Sequence, residues 1–439
     1  MAQQGPRLRG QLGFFDTVAV ALGSIIGAGI FVAIGQGARL AGAGLPIAIL
    51  IAGMVAAFSG LSSAELGVNY PRAGGAYEFG YHLLRPVLGF IAGLAYLLGN
   101  LAGGAALSLT FAGYLQPLVP WLPLRAVAVG LSILLLGVNL AGVQQSRLLN
   151  DALVIFKVLV LVIFVFVGLA AVSQWQASSF SPLSWSGLLQ ASGLLFFAFT
   201  GYSRPVTIVE EIRNPTRILP PAMVTALAIS TALYLSIGIV GLGLVGAEGL
   251  SSSSAPLLTA LAPTGQVWAQ LAVLLGGLVA TADVLLTDIW GLSRMLFAMA
   301  RRGDLPGILG RVSPGGIPRP AVLIAGTIVI LLSLAANLGS VLAASSLGLL
   351  VYYAIMNSAA LRLNPRQRLY PPVIPLAGLI SCAALAFSLP AESLIIVGAV
   401  VGMGAIYFIL RHRHRSPPGA KGCIIGGLSA QSIVPRKKH

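Results

Sequence analysis

The sequence predicts an all-α membrane protein that crosses the bilayer many times, because it is very hydrophobic and carries few charges. Hydrophobic residues make up 57% of the 439 residues and charged residues 8%, whereas an ordinary soluble domain carries about 25% charged residues. A water-soluble fold of this length could not cover so much apolar surface. A soluble enzyme is therefore excluded. A nucleic-acid-binding protein is excluded too, because the basic residues behind the net charge of +15 are not clustered on a polar domain.

Twelve apolar stretches are long enough to cross a bilayer as helices, which takes about 20 residues. The predicted spans are 14–38, 44–68, 86–114, 123–141, 152–172, 187–209, 222–245, 266–299, 320–337, 340–360, 373–389 and 393–410. The first span follows a short basic segment and is too long for the apolar region of a signal peptide. We therefore expect it to be retained as a membrane helix.

The basic residues predict the orientation of these spans. With the N-terminus in the cytoplasm, 22 of the 26 Lys and Arg residues fall on the cytoplasmic side, as expected for a multi-pass protein of the plasma membrane. Segment 1–13 and tail 412–439 are then both cytoplasmic. The tail is rich in Gly, Ser and Pro and ends in basic residues, which predicts disorder and attraction to anionic lipid.

Two predicted spans contain residues that interrupt a helix near mid-membrane. The first span has three glycines within Gly23–Gly29, and the sixth has Gly201 and Pro205 four residues apart. Glycine in membrane helices also serves close packing, and we prefer packing for Gly42, Gly53, Gly103 and Gly104. For Gly27 and Gly29 we favour a binding site, because matching interruptions in two halves of a chain are typical of transport sites.

The chemistry of such a site comes from the backbone. An unwound stretch frees N–H and C=O groups that lipid cannot satisfy, and the N-terminal end of the next half-helix favours a carboxylate. A zwitterionic amino acid would fit. The predicted substrate-binding residues are Ser24, Ile26, Gly27, Ala28, Gly29, Phe196, Phe197, Phe199, Thr200 and Gly201.

Enzyme chemistry has no support in the motifs. The two cysteines cannot form a four-ligand zinc site or a disulfide framework, and the four histidines include no HExxH pair. We predict no enzyme activity, no cofactor and no metal. A non-transporting sensor on the same scaffold is the remaining rival from another class.

Four motifs together resemble the amino acid–polyamine–organocation (APC) superfamily. They lie in the first span, in the loop after the second, at the exit of the sixth and at the end of the eighth. Their residues are Gly23–Phe31, Ala64–Gly67 with Tyr70–Tyr77, Phe197–Tyr202 with Glu210–Pro215 and Arg217–Pro220, and Ser293–Pro306. Jointly they form a specific match, at family spacing, over roughly residues 10–365.

The resemblance implies the leucine-transporter (LeuT) fold, with spans one to five and six to ten as inverted repeats. It places a ten-helix transport core at 14–360 and two additional helices at 361–411. It also implies secondary transport of amino acids or related amines by alternating access. Gly201–Arg204 resembles the subgroup of neutral amino-acid exporters, and polyamine permeases remain an alternative. The substrate, the direction of transport, the coupling ion and the oligomeric state stay open.

Four charged residues lie inside predicted spans and are the candidates for coupling: Lys157, Arg204, Asp283 and Asp288. Lys157 lies about 9 Å into the fifth span, where snorkelling to the interface is the alternative. The resemblance matches it to the family's fifth-helix lysine, which stands in place of a sodium ion in sodium-coupled relatives. A buried lysine can lose its proton because burial disfavours the charged form, which favours proton-linked or sodium-independent exchange.

The sequence leaves more than one possible partner for each of these charges. Asp283 and Asp288 point about 140° apart on a helix, so they are not a paired carboxylate site. We expect one of them, Asp288 in preference, to neutralise Lys157 or Arg204, with a protonated structural Asp as the equal alternative. Arg204 is interpreted as a structural partner rather than a substrate contact. For Phe196, Phe197 and Phe199, gating of the site and ordinary helix packing are equally favoured.

Overall fold

The computed structural model describes residues 12–70, 74–142, 147–171, 173, 184–207 and 209–413. Several predictions therefore lie outside the described residues. They concern the cytoplasmic N-terminus before residue 12, positions 71–73 of the loop motif and the basic tail from residue 414.

The described chain is helical, and its only β-type contact there is an isolated bridge between Leu12 and Ile212. The α-helices in chain order are α1 Phe14–Ile25, α2 Gly29–Ala41, α3 Leu45–Asn69, α4 Ala76–Phe79, α5 Pro86–Leu115, α6 Leu124–Ala141, α7 Arg147–Ala170, α8 Trp185–Leu195, α9 Arg204–Thr207, α10 Pro215–Ser251, α11 Pro256–Leu261, α12 Val267–Arg302, α13 Arg319–Ala335, α14 Leu338–Ala360, α15 Val373–Ser388 and α16 Ala391–Arg413.

Eight helical segments of the described chain are long and apolar enough to cross a membrane. Three shorter apolar helices accompany them: α1, α13 and α15. The expectation of a polytopic helical membrane protein is therefore confirmed. In a helix, the backbone N–H and C=O groups of an apolar segment bond to each other. A bilayer core requires this because it contains no water to bond them.

Proline and glycine mark many of the helix ends. Prolines stand in the first turn of α3, α5, α10 and α13, where a missing N–H costs nothing. Gly142 and Gly303 end α6 and α12 in the left-handed conformation, with φ of 75° and 90°. Such a conformation suits glycine because it has no Cβ.

The helices divide into a central group and a peripheral group. α5 and α14 are the most buried of the long helices and pack against each other, and α5 also contacts α12. By contrast α6, α7 and α16 expose most of their apolar surface. The interrupted segments adjoin the central group, since α2 contacts α5 and the segment Phe196–Ser203 contacts α14.

Candidate functional site

The first interruption separates α1 from α2 by three residues, Ile26 to Ala28. Ile26 leaves the helical conformation with φ −78° and ψ 65°. Gly27 donates its N–H to the carbonyl of Ile25 at 2.8 Å. Residues 26–29 are all buried, and the hydroxyl of Ser24 donates to the Val20 carbonyl at 2.9 Å. The first N–H groups of α2 have no partner within their own helix, as at any helix start.

The second interruption has a different form from the first. Between α8 and α9 the chain winds as a 3₁₀ helix over Phe196–Ser203, and Pro205 lies within the short helix α9. The i→i+3 hydrogen bonds of a 3₁₀ helix have poorer geometry than those of an α-helix, so they are weaker. Thr200 turns its hydroxyl back onto the Phe197 carbonyl at 2.9 Å.

The two interruptions touch each other backbone to backbone. A Cβ placed on Gly201 would lie 1.9 Å from the Ser24 carbonyl oxygen, and one placed on Gly29 would lie 2.4 Å from the Ala198 Cα. Any larger residue at either glycine would push the segments apart. The structure therefore brings the predicted substrate-binding glycines of both segments into one place.

Two tyrosines that we did not predict hold the carbonyls of these segments. Tyr234 of α10 donates its hydroxyl to the Ile25 carbonyl at 2.8 Å and lies 3.3 Å from the Ala198 carbonyl. Tyr353 of α14 donates to the Thr200 carbonyl at 2.8 Å. Both side chains are buried. They supply hydrogen bonds that a regular helix would otherwise provide.

The three phenylalanines of the 3₁₀ segment have different surroundings. Phe196 is fully buried with its ring edge-on to Tyr353 at 5.7 Å, and Phe199 is buried edge-on to Tyr234 at 5.1 Å. Phe197 is half-buried and lies beside Gly103 of α5. Of the three, only Phe197 has the partial exposure that a gating side chain needs.

Lys157 forms a buried ion pair, and its partner differs from the one we preferred. Its Nζ lies 2.7 Å from Oδ2 of Asp283, with the two side chains 2% and 9% exposed. Asp283 rather than Asp288 faces α7, because the two acids point in different directions on α12. The pair lies next to the first interruption, since Gly27 faces Val284 and Gly23 faces Val154.

Arg204 and Asp288 lie close enough for their charges to interact. Both charges also act on the hydroxyl of Tyr96. Arg204 is exposed and Asp288 is half-buried. Each acid inside the predicted spans therefore has a basic residue near it: Asp283 forms an ion pair with Lys157, and Asp288 lies within range of the charge of Arg204. This arrangement lowers the cost of placing charge in a membrane.

A third polar cluster lies at the end of the bundle where α12 and α16 finish, which we call the basic end. Asp304, fully buried, accepts hydrogen bonds at Oδ2 from the hydroxyls of Tyr77 at 2.7 Å and Tyr81 at 2.6 Å. Burial, together with these hydrogen bonds to a carboxylate, raises the pKa of both tyrosines. The two hydroxyls therefore remain protonated donors at physiological pH.

An ion pair covers this cluster, and a separate carboxylate holds the loop before α15. Arg302 makes a bidentate pair with Glu78, at 2.7 and 2.8 Å, and its guanidinium covers both tyrosine rings. Glu65, near the end of α3, accepts the N–H groups of Leu369 and Tyr370 at 2.5 and 3.2 Å. It thus holds the segment that leads into α15.

Comparison with known proteins assigns this architecture to a family. The amino acid permease family matches residues 12–411. The chain is 38% identical over 407 residues to an uncharacterized transporter of Mycobacterium tuberculosis, covering 92% of each chain. It is 28% identical to the branched-chain amino acid permease of Bacillus subtilis, covering 93% of this chain and 94% of the relative. It is also 28% identical to cationic amino acid transporter 4 of Mus musculus, covering 84% and 62%.

These relatives are transporters, and the described chain is multi-pass and helical. It carries two interrupted segments that meet in its centre. The protein belongs to the amino acid permease family, and it is an integral membrane transporter of amino acids rather than an enzyme.

Proposed function

We propose that the protein is a secondary transporter that moves neutral amino acids across the plasma membrane by alternating access, without sodium. The observation that carries the proposal is the backbone contact between the two interrupted segments, at Gly29 with Ala198 and at Gly201 with Ser24. A ligand bound beside this contact would meet backbone groups from two segments that belong to different halves of the chain.

In this proposal the substrate carboxylate binds at the start of α2. The N–H groups of the first residues of that helix point toward the interruption, and the helix dipole favours a negative charge there. The substrate ammonium binds carbonyl oxygens of the 3₁₀ segment, with Thr200 beside them. In this arrangement Phe197 covers the substrate side chain.

The charges around the site favour a neutral side chain. Asp283 is paired with Lys157 at 2.7 Å, and Arg204 acts on Asp288. No carboxylate among the described residues therefore stands near the interruptions without a basic residue close to it. A cationic amino acid or amine is the second candidate. The half-buried carboxylate of Asp288 favours it, and a mouse relative carries that substrate class in its name.

The Lys157–Asp283 pair is proposed as the coupling element. It joins α7 and α12 beside the first interruption, where the lysine's fixed positive charge would do the work of a bound sodium ion. Protonation of Asp283 would leave the positive charge of Lys157 buried without its partner, and deprotonation of Lys157 would leave the negative charge of Asp283 in the same state. Either change would alter how α7 and α12 pack beside the first interruption. Transport would then depend on the proton gradient and not on sodium.

The same proposal includes the inverted-repeat architecture and the orientation. The pairs α2 with α8, α3 with α10 and α5 with α12 pack against each other. These are the first and sixth, second and seventh, and third and eighth of twelve proposed spans. Residues 14–360 form the transport core and 361–411 two added helices. The basic end, with both termini, faces the cytoplasm.

Flux into liposomes tests the proposal. Purified protein should exchange labelled leucine, alanine or serine in sodium-free buffer, faster with an imposed pH gradient, and arginine should compete poorly. Absence of flux with any of the twenty amino acids, together with ligand-induced thermal stabilisation, would instead identify a sensor. Strong competition by arginine would support the cationic candidate.

The variant Lys157→Ala tests coupling in the same liposomes. Its flux should lose the response to the pH gradient, while Arg125→Ala, which removes an exposed basic residue at the start of α6, should keep it. An unchanged pH response in Lys157→Ala would contradict the coupling role.

A further inference from the structure

Three helices enclose a small cavity at the basic end of the bundle. α6 and α13 pack against each other, and both pack against α12. The cavity lies where α6 ends and α13 begins, and its volume is about 60 Å³. Its lining includes Asn139, Trp290, Ser293, Arg294, Gly315 and Gly316. None of these residues belongs to the proposed substrate site or to the proposed coupling pair.

Arg294 is the charged residue of this cavity. Its side chain is exposed, and its guanidinium carbon lies 4.7 Å from the centre of the Trp290 ring. In the described part of the chain, no carboxylate lies within ion-pair distance of this guanidinium, whereas Arg302 on the same helix is paired with Glu78. Stacking on a ring leaves the N–H donors of a guanidinium available, so Arg294 can bind a further acceptor.

The turn before α13 brings backbone groups to the same cavity. The N–H of Gly316 donates to the Ser313 carbonyl at 2.9 Å, and Gly316 has a φ of 76°. Because Gly315 and Gly316 are adjacent, no side chain from this part of the turn fills the opening. Pro318 and Val322 also line the cavity, so the N-terminal end of α13 faces it. The dipole of that helix favours an anion, as the arginine does.

The surroundings of the cavity place it at the membrane interface. Trp290 is 45% exposed, and tryptophan prefers the boundary between headgroups and acyl chains. Arg294 lies one helical turn closer to the end of α12, a rise of about 6 Å, which corresponds to the headgroup region. Toward mid-membrane from the cavity, Ile133 and Leu134 of α6 and Leu323 of α13 are exposed. These side chains can contact the acyl chains of a lipid.

We propose that this cavity binds the phosphate of an anionic phospholipid such as phosphatidylglycerol. Arg294 donates to the phosphate oxygens, and the acyl chains lie over the exposed apolar side chains of α6 and α13. A headgroup that also carries a cation is disfavoured, because that cation would stand near the arginine and the helix dipole. The volume of about 60 Å³ suits one phosphate group, whereas pockets for whole small molecules usually measure about 300 Å³ or more.

Quenching of Trp290 fluorescence by brominated lipids tests the site without any substrate. The purified full chain is placed in phosphatidylcholine vesicles that contain brominated phosphatidylglycerol or brominated phosphatidylcholine. The signal of Trp290 is the quenching that is lost in Trp290→Phe. Half-maximal quenching should need about fivefold less phosphatidylglycerol than phosphatidylcholine, the preference expected from one arginine near the surface. Equal quenching by the two lipids would overturn the proposal.

Removal of the arginine should remove the preference. In Arg294→Gln, the two brominated lipids should quench Trp290 about equally. Arg362→Gln is the matched control, because Arg362 is an exposed basic residue at the same end and does not line the cavity. It should keep the wild-type preference. An equal loss in both variants would assign the preference to the basic surface as a whole and would overturn the site.

A second variant tests the cavity with Arg294 in place. Gly315→Asp puts a carboxylate into the opening, and an added Cβ there meets only the Ser313 Oγ, at 4.0 Å. The preference should be lost, whereas Gly307→Asp, at an exposed glycine of the same end with nothing within 4 Å, should keep it. A preference that survives Gly315→Asp would overturn the proposal.

Free phosphate is the remaining source of the same chemistry. Excess inorganic phosphate should leave the quenching by brominated phosphatidylglycerol unchanged, because the acyl chains hold the lipid at the site. Loss of the preference in inorganic phosphate would assign the cavity to a free anion and overturn the lipid assignment. These measurements need no transport, so their failure would leave the proposed function untouched.

Discussion

Gly201→Ala is the substitution that probes the centre of the molecule most directly. Alanine is compatible with the helical backbone at this position and favours a helix over glycine by about 1 kcal/mol. The new Cβ, however, would lie 1.9 Å from the Ser24 carbonyl oxygen and 2.3 Å from its carbon, where real Cβ contacts under 3.0 Å are essentially absent. The oxygen would have to move by about 1.1 Å, which is the difference between 3.0 Å and 1.9 Å.

Overpacking of this kind costs about 1–3 kcal/mol, so the clash outweighs the gain in helix propensity. The carbonyl that must move belongs to the segment proposed to bind the substrate. A weakened backbone hydrogen bond to the ligand, at about 1.4 kcal/mol, corresponds to a tenfold loss of affinity. We expect a lower unfolding temperature and at least about a tenfold rise in the half-saturation concentration.

The assay is amino-acid exchange in liposomes, combined with thermal unfolding in detergent. Gly130→Ala is the matched control, because Gly130 is an exposed glycine of α6 with nothing within 4 Å of an added Cβ. It should leave affinity unchanged and raise stability slightly. Wild-type affinity and stability in Gly201→Ala would refute the contact between the two interrupted segments.

Three further substitutions test the polar contacts. Asp283→Asn should destabilise the protein by about 3–5 kcal/mol, because it leaves the Lys157 charge buried alone, while the double variant Lys157→Met/Asp283→Leu should recover most of the unfolding temperature and lose pH-dependent flux. Tyr234→Phe removes the hydroxyl that holds the Ile25 carbonyl, so it should lower stability by about 1 kcal/mol and raise the half-saturation concentration; an equal rise in the half-saturation concentration of Tyr114→Phe, another buried tyrosine, would argue against a role at the interruptions. Asp304→Leu should lower the unfolding temperature strongly, because two tyrosine hydroxyls lose their acceptor, whereas the exposed Glu248→Gln should not, and similar losses in both would contradict the tie at the basic end.

The polytopic helical class and the position of the first interruption were predictable from the sequence, because both have local causes. Apolar runs must form helices in a bilayer, and the cluster at Gly27 and Gly29 lies where the structure separates α1 from α2. The form of the second interruption was not predictable. Its 3₁₀ winding depends on Tyr353 and on the close approach of Gly201 to Ser24, and these are contacts between distant parts of the chain.

The partner of Lys157 was equally beyond sequence reasoning. Two acids five residues apart on α12 offered the same chemistry, and only the rotation of α12 against α7 places Asp283 next to the lysine. Tyr234 carried no signal either, because a tyrosine in an apolar helix does not reveal which carbonyl its hydroxyl faces. Asp304 lies within the motif Ser293–Pro306, yet its hydrogen bonds with Tyr77 and Tyr81 depend on how the loops pack.

The distribution of charge has a consequence for selectivity. Charged residues are rare in this chain, and those inside the spans stand near charges of opposite sign, so they add little net charge to the centre. Discrimination between substrates must then rest on backbone groups and on the shape of an apolar site. A pocket of that kind separates side chains that differ by one methylene only by about 1–3 kcal/mol. We therefore expect a transporter of several related neutral amino acids rather than of one, and exchange of a single amino acid to the exclusion of its homologues would contradict the proposed binding mode.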